Sequence, residues 1–250
     1  MTPKDYEDRI AALEAKIKTL EVSVETRAAQ VTEFSWKDWV EKYGLVIAWV
    51  AIILVLGAFK PAQMFAWNSY ATMLGSNAMV VVLTLALVIP LTTGDFDLSV
   101  AATMGLSSML IAVLNVKLGY PIAGTIFLAL LAGAAIGAVN AFFILYFGVF
   151  SLIVTLGTGY FISGLILWVS DSGTIAGVSM DLVKAVILTR FLGIPVGFYY
   201  ALILTIIIWY VFQHTALGRR MLFVGRGREV ARLSGVNVTR VRAGALIASS

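Results

Sequence analysis

Apolar and polar positions follow one another along this chain mostly in long blocks, without the sustained alternation of barrel strands. Six apolar runs, each near the about 20 residues a helix needs to cross hydrocarbon, cover Trp39 to Phe59, Tyr70 to Leu91, Leu98 to Val116, Ile122 to Phe147, Ser151 to Ser170 and Phe198 to Phe212. Lipid offers backbone N–H and C=O groups no partners, so runs this long predict helices; barrel strands would alternate and be about half as long. The expected fold is an all-α polytopic membrane helix bundle. A seventh apolar stretch starts at Ala243 and meets Ser250 before it is long enough to span, which predicts a truncated seventh helix and a C-terminally incomplete chain.

Residues 1–38 carry a different pattern. Ile10, Leu13, Ile17, Leu20 and Val24 are spaced three, four, three, four, the a/d seam of a short coiled coil, and Arg27 interrupts it. Two heptads are marginal alone, so a helix lying on a membrane or neighbour and a dedicated pairing device are both open readings. The expected organisation is a polar N-terminal helix over 1–38 and a membrane domain over 39–250, with a cytosolic loop at 214–240.

Composition agrees with the blocks. With 60% hydrophobic and 13% charged residues, the chain has too little polar surface to cover a water-soluble globule of its length. The absence of cysteine removes disulfides and thiolate metal sites, and no metal site is expected. A net charge of +4 is weak ground for nucleic acid, because surplus cations in a membrane protein mark its cytoplasmic face. With a cytoplasmic N-terminus, only Lys60, Lys117, Lys184 and Arg190 of the 18 Lys and Arg fall outside. That asymmetry places Gly218 to Val238 in the cytosol. The first 38 residues are too polar for a cleavable signal peptide.

The candidate chemistry is sparse. The single histidine, His214, stands at a span end as an interfacial ring without an acid–base partner in sequence, so no catalysis is expected. Gly218, Gly225 and Gly227 lack the Gly-Lys-Ser/Thr and the preceding strand of a phosphate loop. In "TTGDFDLSV", Asp97 is positioned to cap a helix by accepting the N–H of Ser99 or Val100. A cap and tight turn explain Asp95 less well, and two carboxylates without a cation nearby in sequence are a functional-site candidate. In "LLAGAAIGAVNAFF", Gly133 and Gly137 predict close helix packing and Asn140 an interhelical hydrogen bond. Thr155, Thr158 and Ser163 either bond their own i−4 carbonyls or offer neutral groups to a polyhydroxylated solute.

Three of these stretches, in order, resemble the permease of bacterial ATP-binding-cassette importers, in the ribose-type sugar branch related to branched-chain amino acid permeases. "TTGDFDLSV" is similar to the family's Thr-Gly-Gly-hydrophobic-Asp-Leu-Ser-Val turn, "FSLIVTLGT" to its Val-Thr-Leu-Gly-Thr segment, and "TALGRRMLFVGRGREVARLSGVNV" to its cytosolic loop ending Ala-Arg-Leu-Ser-Gly-Ile. Asp95 stands where the family usually has glycine, and Phe150 where proline is frequent. The resemblance implies that the cytosolic loop is a coupling helix seated in a separate ATPase subunit, with Gly225, Arg228, Glu229, Arg232, Leu233, Ser234 and Gly235 as contact residues. A helix opening after Gly227 and closed by Gly235 would place Val230 and Leu233 on one face and Arg228 and Arg232 on another; a lipid-binding basic patch, which needs neither that helix nor Glu229, is the other open reading of the stretch. Asp97, Ser99, Asn140, Thr155 and Thr158 are expected to line the solute route or to pack it. The implied partners are that ATPase, which would bind ATP and magnesium while this chain binds no cofactor, an external solute-binding protein meeting Asp171 to Gly197, a second permease copy, and membrane lipid. The implied location is the bacterial inner membrane. Two other function classes remain: an ion- or proton-coupled transporter using Asp95 and Asp97, and a non-transporting scaffold organised by the N-terminal heptads.

Overall fold

The computed structural model describes residue 10 and residues 12–23 and 36–250, in two compact units, Met1–Phe65 and Ala66–Ser250. In the first unit residues 12–23 are helical, and Ile10, Leu13, Ile17 and Leu20 each expose more than half of their surface. The expected apolar seam is present and open; Val24 and Arg27 lie outside the described residues. Helix α1 (Trp36–Phe59) follows, then the short α2 (Pro61–Met64), which starts on a proline whose missing N–H costs nothing at that position.

The second unit contains α3 (Trp67–Leu91), α4 (Val100–Ala112, extended by a π-helical turn Val113–Lys117), α5 (Ile122–Tyr146) and α6 (Ser151–Ser170). After them come the short α7 (Met180–Val183), a two-stranded hairpin β1 (Arg190–Phe191) and β2 (Ile194–Pro195), and α8 (Val196–His214). Three further helices end the chain: α9 (Ala216–Arg226), α10 (Arg228–Leu233) and α11 (Val238–Ser249). Six helices in the described residues are long and apolar enough to cross a membrane, Trp39–Phe59, Trp67–Leu91, Val100–Lys117, Ile122–Tyr146, Ser151–Ser170 and Val196–His214. These match the six apolar runs to within a few residues, and the protein is an all-α multi-pass membrane protein.

The hairpin was not anticipated from the apolar blocks, because its strands are only two residues each and its turn rests on Leu192 and Gly193, both at positive φ. The Trp67 indole N–H donates to the Leu192 carbonyl at 3.0 Å and the Arg190 guanidinium to Asn68 at 2.9 Å, so the hairpin is fastened to the start of α3.

Burial in this unit is inverted relative to a soluble protein. The fully buried side chains are mostly small or polar, including Thr93, Thr103, Thr125, Asn140 and Thr155, while Phe161, Tyr160, Trp168 and Leu130 are exposed. Lipid accepts the large apolar groups, so helix association rests on close approach and hydrogen bonds. Gly133 and Gly137 fill the expected role, and their partner is α11. A Cβ on Gly133 would lie 2.6 Å from the Ser250 carbonyl oxygen, and one on Gly137 would lie 2.6 Å from both the Leu246 carbonyl oxygen and the Ile247 Cα. The 12-residue α11 is therefore packed backbone to backbone on α5, and it also lies against α3. Helix α8 packs on α3, while α4 packs on α5 and α6.

Gly137→Leu is expected to destabilise the unit by roughly 1–3 kcal/mol, because the colliding atoms are backbone and cannot rotate away. Gly164→Ala, where nothing lies within 4 Å of the new Cβ, is expected to leave stability unchanged or slightly improved. Thermal unfolding of the two variants in one detergent checks the contrast.

Candidate functional site

The connection between α3 and α4 is where polar chemistry concentrates. Pro90 near the end of α3 is followed by a tight turn in which its carbonyl accepts the N–H groups of Thr93 (2.9 Å) and Asp95 (3.1 Å) and the Thr93 hydroxyl (2.8 Å). Gly94 supplies the positive φ of 77° that the turn requires. Asp95 to Asp97 then lie outside any helix or strand. Thr93, Asp95, Asp97 and Ser99 are buried, whereas Gly94, Phe96 and Leu98 are exposed. This is the period of two expected of extended backbone, with the polar face turned inward.

Extended backbone has unpaired N–H groups, and α6 supplies their acceptors. Phe96 N–H donates to the Ser151 hydroxyl at 3.0 Å and Leu98 N–H to the Thr155 hydroxyl at 3.1 Å. Thr155 in turn donates to the Ser151 carbonyl at 2.9 Å. It thus makes the expected i−4 bond, and its lone pairs also hold the loop.

Asp95 is 2% exposed and is held by two arginines. Arg242 of α11 grips it with a bidentate fork, Nε to Oδ2 and Nη2 to Oδ1, both at 2.7 Å. Arg228 of α10 donates to the same Oδ1 at 3.1 Å and to the Gly94 carbonyl at 2.7 Å. The bidentate geometry is the strong form of this contact. A carboxylate without a nearby cation in sequence thus has two in space, and Arg228, expected on the rim of a docking helix beside Arg232, is turned inward to the loop.

Asp97, fully buried, is held by hydroxyls. Its Oδ1 accepts the Ser99 N–H (3.0 Å) and hydroxyl (2.6 Å), and its Oδ2 accepts the Ser249 (2.5 Å) and Ser250 (3.3 Å) hydroxyls. It accepts Ser99 N–H as expected of a capping residue, although Ser99 itself occupies the cap position of α4. Ser99 accepts from Asn140 Nδ2 at 2.9 Å, and Asn140 Oδ1 accepts the Thr158 hydroxyl at 2.7 Å. The expected interhelical bond of Asn140 is therefore doubled, towards α4 and α6. Asp97, Ser99, Asn140 and Thr158 form one chain of contacts, and Thr155 of α6 bonds the same loop at Leu98. Asp97, Ser99, Asn140 and Thr155 are buried, and none of the five lines a cavity of about 690 Å³ bounded by Ser76, Ser107, Arg190 and Tyr200. Ser249 and Ser250 do line it, and so connect it to Asp97. They were missed because they sit in the stretch too short to span, and no local signal marks them.

The arginine- and glycine-rich stretch beyond α8 folds as two short helices. Thr215 caps α9 by accepting the Gly218 N–H at 3.2 Å. A Cβ at Gly218 would collide with the Val211 carbonyl, and one at Gly225 with the Thr92 carbonyl. These glycines allow backbones to touch, and Gly225 brings the end of α9 against the loop that carries Asp95. Helix α10 spans Arg228–Leu233, and Gly235 (φ 81°) closes it in a Schellman motif: Val236 N–H bonds the Ala231 carbonyl and Gly235 N–H the Arg232 carbonyl, both at 3.0 Å. This is the helix expected between the two glycines. Ala231 is buried beneath it, Val230 and Leu233 are exposed, and Glu229 pairs with Arg232 at 2.9 Å on the open side. Ser234 bonds the Val230 carbonyl at 2.9 Å. The His214 ring stacks on Tyr210 and meets the edge of Trp209, a packing role.

A family model described as branched-chain amino acid transport system / permease component matches residues 67–250. The chain belongs to this permease family. It is 27% identical over 215 residues to the D-allose transport system permease protein of Escherichia coli K12, covering 86% of this chain and 66% of that one. It is 32% identical over 210 residues to the autoinducer 2 import system permease protein of Photorhabdus laumondii, covering 80% of this chain and 62% of that one. The chain thus spans less than two thirds of the length of these relatives. No solved structure matches it significantly.

Arg242→Met is expected to cost on the order of 3 kcal/mol, because Asp95 is then left buried with one half-exposed cation. Arg228→Met, which removes the more exposed partner, is expected to cost about 1 kcal/mol. Thermal melts of the two variants at matched ionic strength check the order.

Proposed function

We propose that this chain is the membrane-spanning permease subunit of an ATP-driven importer for a sugar or a similar small polar solute. The observation that carries the reading is the construction of α10. It presents an apolar pair, Val230 and Leu233, beside the Glu229–Arg232 ion pair, and it is anchored at its base through Arg228 to Asp95. A small exposed apolar centre with a charged rim suits docking to a protein, and the anchor gives a route from that dock into the bundle. The names of the two relatives, one a D-allose and the other an autoinducer 2 import permease, support a polar solute.

In this reading a separate ATPase subunit, carrying ATP and magnesium, closes against Gly225, Glu229, Arg232, Leu233, Ser234 and Gly235. The displacement passes through Arg228 to the loop at Asp95. The loop is bonded to α6 through Ser151 and Thr155 and to α11 through Asp97, so those helices move with it and change access to the cavity between α3, α4 and α8. An external binding protein would deliver solute at residues 171–197, a second permease copy would complete the pathway, and the inner membrane with a cytoplasmic N-terminus would be the setting. An ion-coupled transporter with Asp95 and Asp97 as a titrating pair finds less support, because Asp95 is occupied by two guanidiniums and Asp97 by hydroxyls.

The test is the double variant Glu229→Ala/Arg232→Ala in the assembled transporter. Uptake is expected to fall at least about tenfold while the subunit stays in the membrane and partner ATPase activity continues, a loss of coupling of about 1.4 kcal/mol or more. Unchanged uptake would remove α10 from the coupling path, and uptake that survives ATP depletion but collapses with an uncoupler would replace the whole reading.

A further inference from the structure

The arginines at this end of the protein fall into two groups. Arg228, Arg232 and Arg242 each have a carboxylate partner. Arg219 and Arg226 have no carboxylate and no side-chain hydrogen bond among the described residues, and neither do Arg220 and Arg240. The latter two line a single cavity of about 380 Å³ between α3, α8, α9 and α11, whose remaining lining is apolar or glycine and includes Ile89, Ile208, Phe212 and Met221. The helix that brings Arg220 there, α9, is amphipathic, with Gly218, Met221 and Val224 buried and Arg219, Arg220 and Arg226 exposed. Such a helix lies in a membrane interface with its cations at headgroup level.

We infer that this cavity is a binding site for one anionic glycerophospholipid, with the headgroup phosphate between Arg220 and Arg240 and an acyl chain against Ile89, Ile208 and Phe212. The chemistry on each side calls for a ligand with both properties. An apolar cavity with two unpaired guanidiniums at its edge leaves ten N–H donors without a fixed acceptor, and planar guanidiniums from two helices suit the oxygens of a phosphate. A soluble anion would satisfy the arginines and leave the apolar walls bare, whereas a neutral lipid would do the reverse. Basic pockets between membrane helices are suited to anionic headgroups, each nearby cation adding to the preference. The site shares no residue with the Asp95 clamp or with the exposed side of α10, so it stands whether or not α10 docks an ATPase.

Native mass spectrometry of the full chain in detergent, with phosphatidylglycerol and phosphatidylcholine of identical acyl chains in equal amounts, tests the assignment. At low ionic strength the anionic lipid is expected to be retained roughly thirtyfold more strongly, about a fivefold factor per cation. Arg220→Gln/Arg240→Gln is expected to bring the two lipids near parity. Arg219→Gln, on the same helix but outside the cavity lining, is expected to leave the preference intact. Gly244→Leu, which adds a side chain to the cavity wall at a position with nothing within 4 Å of its Cβ, is expected to lower retention of both lipids with every charge in place. Equal retention of the two lipids by the native chain overturns the proposal. So does an Arg219→Gln effect as large as that of the double variant, full retention in Gly244→Leu, or displacement of phosphatidylglycerol by an equal concentration of glycerol phosphate.

Discussion

The Asp95 carboxylate is the point on which the other contacts of this end of the protein depend. It sits buried in a stretch that α-helical hydrogen bonding does not serve; the Thr93 hydroxyl reaches it at 3.4 Å, and its charge is met because α10 and α11 each send an arginine to it. Removing one partner leaves a charge in surroundings where a lone charge is costly. The positions of the loop, of α10 and of the start of α11 are therefore set together. The close backbone approach at Gly225 adds a steric counterpart, since the same loop must lie against the end of α9.

Two residues beyond this clamp a second set of buried polar contacts begins at Asp97. Alternate residues of the extended stretch point the same way, so Asp95 and Asp97 face one interior, and Asp97 passes the connection to Ser99, Asn140, Thr158 and Ser249. No buried side-chain nitrogen or oxygen among the described residues lacks a partner. In a bundle whose large apolar groups face lipid, this network, together with the glycine contacts between α5 and α11, supplies the specificity that a hydrophobic core supplies in water.

Much of this was legible in the sequence, for physical reasons that differ from element to element. The spans follow from block hydropathy, because the bilayer imposes both a length and a composition on every crossing. The close-packed glycines of α5 and the Schellman closure at Gly235 follow from local chemistry that few other residues can perform. What could not be read were contacts whose halves lie far apart in sequence. Arg228 and Arg242 reach Asp95 across separations of 133 and 147 residues, and nothing near Asp95 foretells them. The extended stretch did leave a trace: polar residues at 93, 95, 97 and 99 alternate with apolar ones at 96 and 98. That pattern was open to being read as extended backbone, with the polar side inward.

The pairing of both arginines with one carboxylate has a geometric consequence. Arg228 opens α10 and Arg242 lies beyond its end, so the intervening chain is pinned at both feet to a single abutment, as an arch is. An arch transmits a push on its crown to its footing with little bending, and the crown here is Leu233, the most exposed residue of the short helix. Within the proposed function, the departure of Asp95 from the glycine expected at its position would then be a choice of mechanical stiffness: a chain that gives up a flexible turn for a fixed footing.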